Sequence, residues 1–225
     1  MGPDLVSDVQ TLHTVLHRAL EEPAEHWLEL AIARCAADHA AITTLFPSAR
    51  RACGGNPVPG WPDWSVDQAV RTRLLLALPL SGEALATTLS DLYHHGDSAE
   101  RIAVLRALAP LDRHRRLGAA GLPLVRNALR TNDTRIIQAA MGPYAADHLE
   151  NAAYRQGVLK CAFVGVPLDV VAGLWRRADQ ELGRMLNDLV RERRAAGRSI
   201  RPDVAAAALR LHHRPDPGQE LGGEN

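Results

Sequence analysis

An excess of charge is the first thing this chain lacks. Its 26 Lys and Arg are matched by 26 Asp and Glu in 225 residues. That balance argues against a protein built to coat nucleic acid or an anionic membrane, since both need a cationic surplus. No apolar run approaches the roughly 20 residues that cross a bilayer. The opening MGPDLVSDVQ has neither the basic nor the apolar region of a secretion signal, so a cytoplasmic location is the expectation. Cysteine is scarce: Cys35, Cys53 and Cys161 are scattered and odd in number, which indicates neither a disulfide framework nor a tetrahedral zinc site. The glycine loops that cradle phosphates and the serine elbow of hydrolases are also absent, and neither a cofactor nor a metal is expected.

Two further scarcities are informative. There are only six Ile against 36 Ala, so strand formers are sparse, helix formers dominate, and the fold class is expected to be all-α. Of the basic residues 25 are Arg and one, Lys160, is Lys. A surviving lysine in so arginine-rich a chain marks a place where a compact ammonium serves and a planar guanidinium does not. The alternative is a buried, paired structural lysine, and the apolar setting GVLKCAFVG is compatible with either.

Punctuation along the chain gives the order of elements. Val9, Leu12, Leu16 and Leu20 form an apolar stripe over residues 4 to 21, interrupted by Pro23. A second helix is expected from Ala24 to Leu45, ended by Pro47. The stretch from Pro47 to Trp64 holds four prolines and three glycines and reads as a long loop. Ser65 with Gln68 makes a capping box for a helix running to Pro79, Ser81 caps the next, and Asp97 with Glu100 caps a third through Leu108. Pro110 and the basic segment DRHRRLG lead to a helix over Leu122 to Arg130, and Asn132-Asp133 opens another through Met141. Gly142-Pro143 is a break before a helix from Glu150 to Val164. The longest helix then carries Trp175, Ala178, Leu182, Met185, Leu186 and Leu189 on one face, and Pro202 starts the last. Together these predict one domain over 1–213, with the loop 47–64 inside it and a disordered tail 214–225.

A faint repeat runs through the middle. LSDLYHHGDSAERIAVLRAL and VRNALRTNDTRIIQAAMGPY align at a shift of 36, placing Asp97 over Asp133, with Asp169 another 36 residues on. That period approaches those of helical-pair solenoids of the HEAT or armadillo kind, so a curved array of antiparallel helix pairs is expected.

Three small constellations read as solvated structure. His13, His17 and Glu21 share a helical face but lack a metal-site signature. His94 and His95 sit at a helix end, where a cation is favoured, and Arg113, His114, Arg115 and Arg116 form a basic turn. The region from Arg126 to Glu181 differs, since it crowds polar residues into turns and helix starts. Its candidate ligand-binding set is Arg126, Arg130, Asn132, Asp133, Tyr144, His148, Gln156, Lys160 and Arg177. There Arg and Lys would hold an anionic or polyhydroxylated ligand, Asn and Asp would take hydroxyls, and Tyr144 would stack or cap.

The strings LVRNALRTNDTR, GPYAADHL, RQGVLKC and RRADQELGRML, with the earlier LFPSARR and LYHHGDSAERIAVLRAL, carry a likeness. In order and spacing, over roughly residues 25 to 200, the chain resembles the EboA family of bacterial metabolite-traffic proteins. The resemblance implies a gene cluster that also encodes a membrane prenyltransferase-like protein, metal-dependent TIM-barrel-type proteins and a sugar-phosphate-cyclase-like enzyme. It implies a role in building or moving a small metabolite toward the cell envelope, and it transfers no catalytic residue. The expected function is a small-molecule-binding or scaffold component of a specialised-metabolite pathway. Its partners would be a small polar or anionic metabolite and other proteins of the cluster, and not nucleic acid. The alternative is an enzyme of that pathway using Lys160 as base or Schiff-base nucleophile, with His148 or Asp133 assisting.

Overall fold

The computed structural model describes residues 9–114 and 117–212, and the expected tail 214–225, with Arg115 and Arg116 of the basic turn, lies outside them. Helices dominate the described residues, and the only strands among them form one short ribbon. The chain divides into two compact units, Met1–Thr131 and Asn132–Asn225.

The first unit contains α1 (Val9–Ala19), α2 (Glu22–Ala37), α3 (Ile42–Cys53), the strands β1 (Pro57–Val58) and β2 (Trp61–Ser65), then α4 (Val66–Ala77), α5 (Gly82–His95), α6 (Ser98–Arg113) and α7 (Leu122–Ala128). Helix α4 is its centre and packs on α1, α2, α3 and α6. The capping boxes sit where expected: Gln68 Oε1 accepts from the Ser65 amide (3.4 Å), and Asp97 and Glu100 exchange bonds of 2.8 and 3.0 Å.

Two prolines correct the reading of this unit. Pro47 lies inside α3, and the expected loop 47–64 is helix to Cys53 followed by the antiparallel β1–β2 ribbon. An interior proline costs a helix about 3 kcal/mol. Burial of Phe46 and Ala49, at 1% and 0% exposure, offsets that cost, since a fully buried Phe alone contributes about 1.5–3 kcal/mol. Pro110 likewise lies within α6 between the buried Ala109 and Leu111, and the helix runs past Leu108 to Arg113.

The second unit contains α8 (Thr134–Ala140), α9 (Pro143–His148), α10 (Asn151–Val164), α11 (Leu174–Arg177), α12 (Gln180–Ala195) and α13 (Pro202–His212). Helices α12 and α13 form its most extensive pair, and α10 packs on α8 and α12. Gly165, at φ +91°, ends α10 in the left-handed region that glycine enters freely. The expected long helix through Trp175 is instead two. Asp179 breaks it by accepting from the Leu182 amide (2.9 Å) as the N-cap of α12. The 36-residue register holds for Asp97 and Asp133, which cap α6 and α8. It fails at Asp169, which lies within a 3-10 turn, Leu168–Val170, whose N-cap is Pro167.

Candidate ligand-binding site

The candidate residues fall in both units. Arg126 and Arg130 belong to the first, exposed in the last turn of α7 and in the tight turn after it, where the Arg130 amide donates to the Asn127 carbonyl (3.0 Å). The other seven belong to the second.

Within the second unit the lone lysine finds a partner. Lys160, on α10, donates from Nζ to Oδ1 of Asn132, just before α8 (3.1 Å). Gln156 is exposed one turn earlier on the same face of α10. Asn132 is exposed and Lys160 half-buried, and among the described residues no carboxylate lies within ion-pairing distance of the ammonium. A full charge is therefore met here only by a neutral amide.

Three other candidates are occupied. Asp133 caps α8 through the Arg135 amide (3.0 Å) and holds the Arg135 guanidinium in a forked pair of 3.1 and 2.8 Å. That side-chain bond, opposed in part by burial, lowers the Asp133 carboxyl to about 2. Tyr144, expected to stack on a ligand, is buried to 3% exposure with its ring 4.5 Å from that of His148. It faces the interior because α9, six residues long and missed in the sequence, turns Tyr144, Ala145 and Ala146 inward. Arg177 donates to the carbonyls of Ala145 (3.3 Å), Ala146 (3.1 Å) and Leu149 (2.6 Å) and to Asn151 Oδ1 (2.8 Å), and its Cζ lies 4.2 Å from the centre of the Tyr154 ring. The carbonyls lie at the C-terminal end of α9, where that of Ala145 already accepts from the Leu149 amide (3.0 Å), and the guanidinium serves the others as a helix cap. Tyr154 in turn donates to the Ala172 carbonyl (2.7 Å), and burial pushes its hydroxyl up to about 12. Beside it, Arg155 forks onto Asp179 (2.6 Å at the closest), which holds the Asp179 carboxyl below its usual range.

The remaining constellations take structural places. His17 pairs with Glu25 on α2 rather than with Glu21, and His94 and His95 donate back to the carbonyls of Ser90 (2.8 Å) and Asp91 (2.9 Å). Among the described residues no group of three His, Cys, Asp or Glu is placed to hold a metal ion. No helix among them is long and apolar enough to cross a membrane.

One charged cluster was missed in the sequence. Asp67 and Arg71, one turn apart on α4, pair at 0% and 1% exposure. Arg71 Nε also donates to the Phe46 carbonyl (3.0 Å) and its Nη2 approaches Glu100 (3.6 Å), while Arg50 comes within 3.8 Å of Asp67. Asp67 Oδ1 is buried without a hydrogen-bond partner among the described residues. The i, i+4 acid–base spacing inside the apolar run of α4 is the signal that could have found the pair.

Comparison with known proteins gives one match. No curated protein and no solved structure matches the chain. The family model described as metabolite traffic protein EboA matches residues 51–208 of the 225. That span starts within α3, takes in the Asp67–Arg71 pair and the Asn132–Lys160 contact and ends within α13, and on it the chain belongs to the EboA family of metabolite traffic proteins.

Proposed function

We propose that this chain is a small-molecule-binding or scaffold component of a specialised-metabolite biosynthesis or trafficking pathway, with a small polar or anionic metabolite as its ligand. The observation that carries the reading is the contact of Lys160 with Asn132: a compact cation, the only lysine of the chain, half-exposed and answered by an amide rather than a carboxylate. A carboxylate or phosphate would take the two free ammonium protons, and the Asn132 and Gln156 amides would serve its hydroxyls. The proposal is confined to these three residues of the second unit. A helix-pair repeat, a cytoplasmic location and association with other Ebo-cluster proteins belong to the same proposal. The repeat is supported by the paired caps Asp97 and Asp133, and the association with other proteins of the cluster by family membership.

The enzyme alternative has less behind it. Asp133, cast as an assistant to Lys160, is engaged with Arg135, and His148 packs on Tyr144. Native mass spectrometry of the purified chain tests the binding reading. A co-purifying small molecule is expected, and it should be lost in Lys160→Arg and Asn132→Ala while the melting temperature stays within a few degrees, because Asn132 is exposed, Lys160→Arg keeps the charge, and substitutions outside the core change stability by under about 0.5 kcal/mol. Equal retention of the ligand by Lys160→Arg would refute the site. Covalent trapping by borohydride would favour the enzyme.

A further inference from the structure

Helix α12 buries Leu182, Gly183, Leu186 and Val190 and presents a second, cationic face beside that seam. A groove of about 450 Å³ runs along it, with Arg184, Asn187, Arg191 and Arg194 on its wall and Val190 and Leu211 in its floor. The volume falls in the range of small-molecule sites, roughly 300–1,000 Å³.

The floor is fixed before any ligand arrives. Gly183 lies so close to α13 that a Cβ there would stand 3.0 Å from the Leu211 Cβ. Asn187 Nδ2 donates to the carbonyls of Gly183 (2.9 Å) and Ala208 (3.3 Å), tying the two helices together.

The wall carries unmatched charge. Arg184 is held by Glu181 (2.7 Å) and Asp188 (2.9 Å), and Arg191 takes the other oxygen of Asp188 (2.7 Å). Two carboxylates thus serve two of the three guanidiniums on the wall. Arg194 follows Arg191 at i+3, a neighbour on the helix surface, and among the described residues no carboxylate lies within ion-pairing distance of it. The C-terminal end of α12 opposes an anion with about half a negative charge, but Arg193 and Arg194 in its last turn outweigh that. The surplus is positive, and it lies beside an apolar floor.

We infer that this groove binds an organic anion, a phosphate or carboxylate with a short apolar body. The head is held by the Arg191 and Arg194 guanidiniums and the body lies along Val190 and Leu211. Each planar fork can meet such a head through two parallel N–H···O bonds. The site is independent of the Lys160 face, since it is built from α12 and α13 alone.

Calorimetric titration of the full-length chain with phenyl phosphate at low salt tests this, with inorganic phosphate and phenol as controls. Phenyl phosphate should bind at least about tenfold more tightly than either control. Arg194→Gln should weaken it by about tenfold, the loss of one charge-assisted hydrogen bond, and Arg191→Gln/Arg194→Gln by more. Arg191 and Arg194 are exposed, so both variants should fold. Equal affinity for inorganic phosphate or for phenol, or unchanged binding in the double variant, overturns the inference. Loss of binding in Lys160→Gln but not in the arginine variants places the anion on the other face, and also overturns it. Sedimentation with phosphatidylglycerol vesicles that depends on both arginines supports the groove with a lipid as source. Phenyl phosphate binding without such sedimentation supports it with a soluble one.

Discussion

Replacing Asp67 by Ala leaves the Arg71 guanidinium in the middle of α4 with its nearest countercharge gone. Arg71 is 1% exposed, so water does not reach it. It keeps the Phe46 carbonyl at 3.0 Å and the more distant Glu100 at 3.6 Å. Removing one partner of a buried ion pair costs about 3–5 kcal/mol, and these residual contacts place Asp67→Ala at the lower end, about 3 kcal/mol. For a chain of this length about 2–4 °C of melting temperature goes with each kcal/mol, so the transition followed by circular dichroism should fall by roughly 6–12 °C. Asp67→Ala/Arg71→Met is the decisive companion. It removes the stranded charge while keeping an unbranched apolar side chain in its place, and it should recover at least half of the loss. A cost below about 1 kcal/mol for Asp67→Ala, or a double variant no more stable than the single one, would refute the claim that the buried charges depend on one another.

Two more expectations concern the second unit. Asp133 has its carboxyl depressed to about 2 in the folded chain against about 3.9 unfolded, so it binds protons less readily when folded. Its contribution is complete above pH 4 and is lost as pH falls toward 2; urea midpoints across that window should drop less steeply in Asp133→Asn than in the parent. Arg177→Ala should cost about 1–3 kcal/mol in a urea titration, because the Leu149 carbonyl loses its donor while those of Ala145 and Ala146 keep only the Leu149 amide and a longer contact to Arg176. Arg177→Lys should regain less than half of that, and full rescue by Lys would show that charge rather than the forked geometry matters.

Much of the helical skeleton was legible because its signals are local. Ser65 with Gln68, Asp97 with Glu100, Asp133 and Gly165 each satisfy backbone groups within a few residues, and that chemistry reads directly from spacing. Pro47 and Pro110 misled because what holds them inside helices is burial against elements elsewhere in the chain. Asp179 was hidden in a pattern that otherwise continues as one helix, and the Arg155 that holds it comes from α10. The candidate site divides in the same way. Lys160 stood out by composition alone, and its contact with Asn132 spans 28 residues. Arg177 looked like a ligand contact because its true partners are backbone carbonyls, which no side-chain pattern discloses.

The solitary lysine also has a practical side. Apart from the α-amino group, Lys160 Nζ is the only primary amine in the chain, and it stands half-exposed beside Asn132. Amine-directed reagents that would decorate most proteins at many points have one internal address here. A fluorophore coupled through a succinimidyl ester marks a single known position, and a short amine cross-linker captures only what approaches that position or the chain's beginning. Protection of Lys160 from acylation therefore reports contact at that one position, without introducing a mutation.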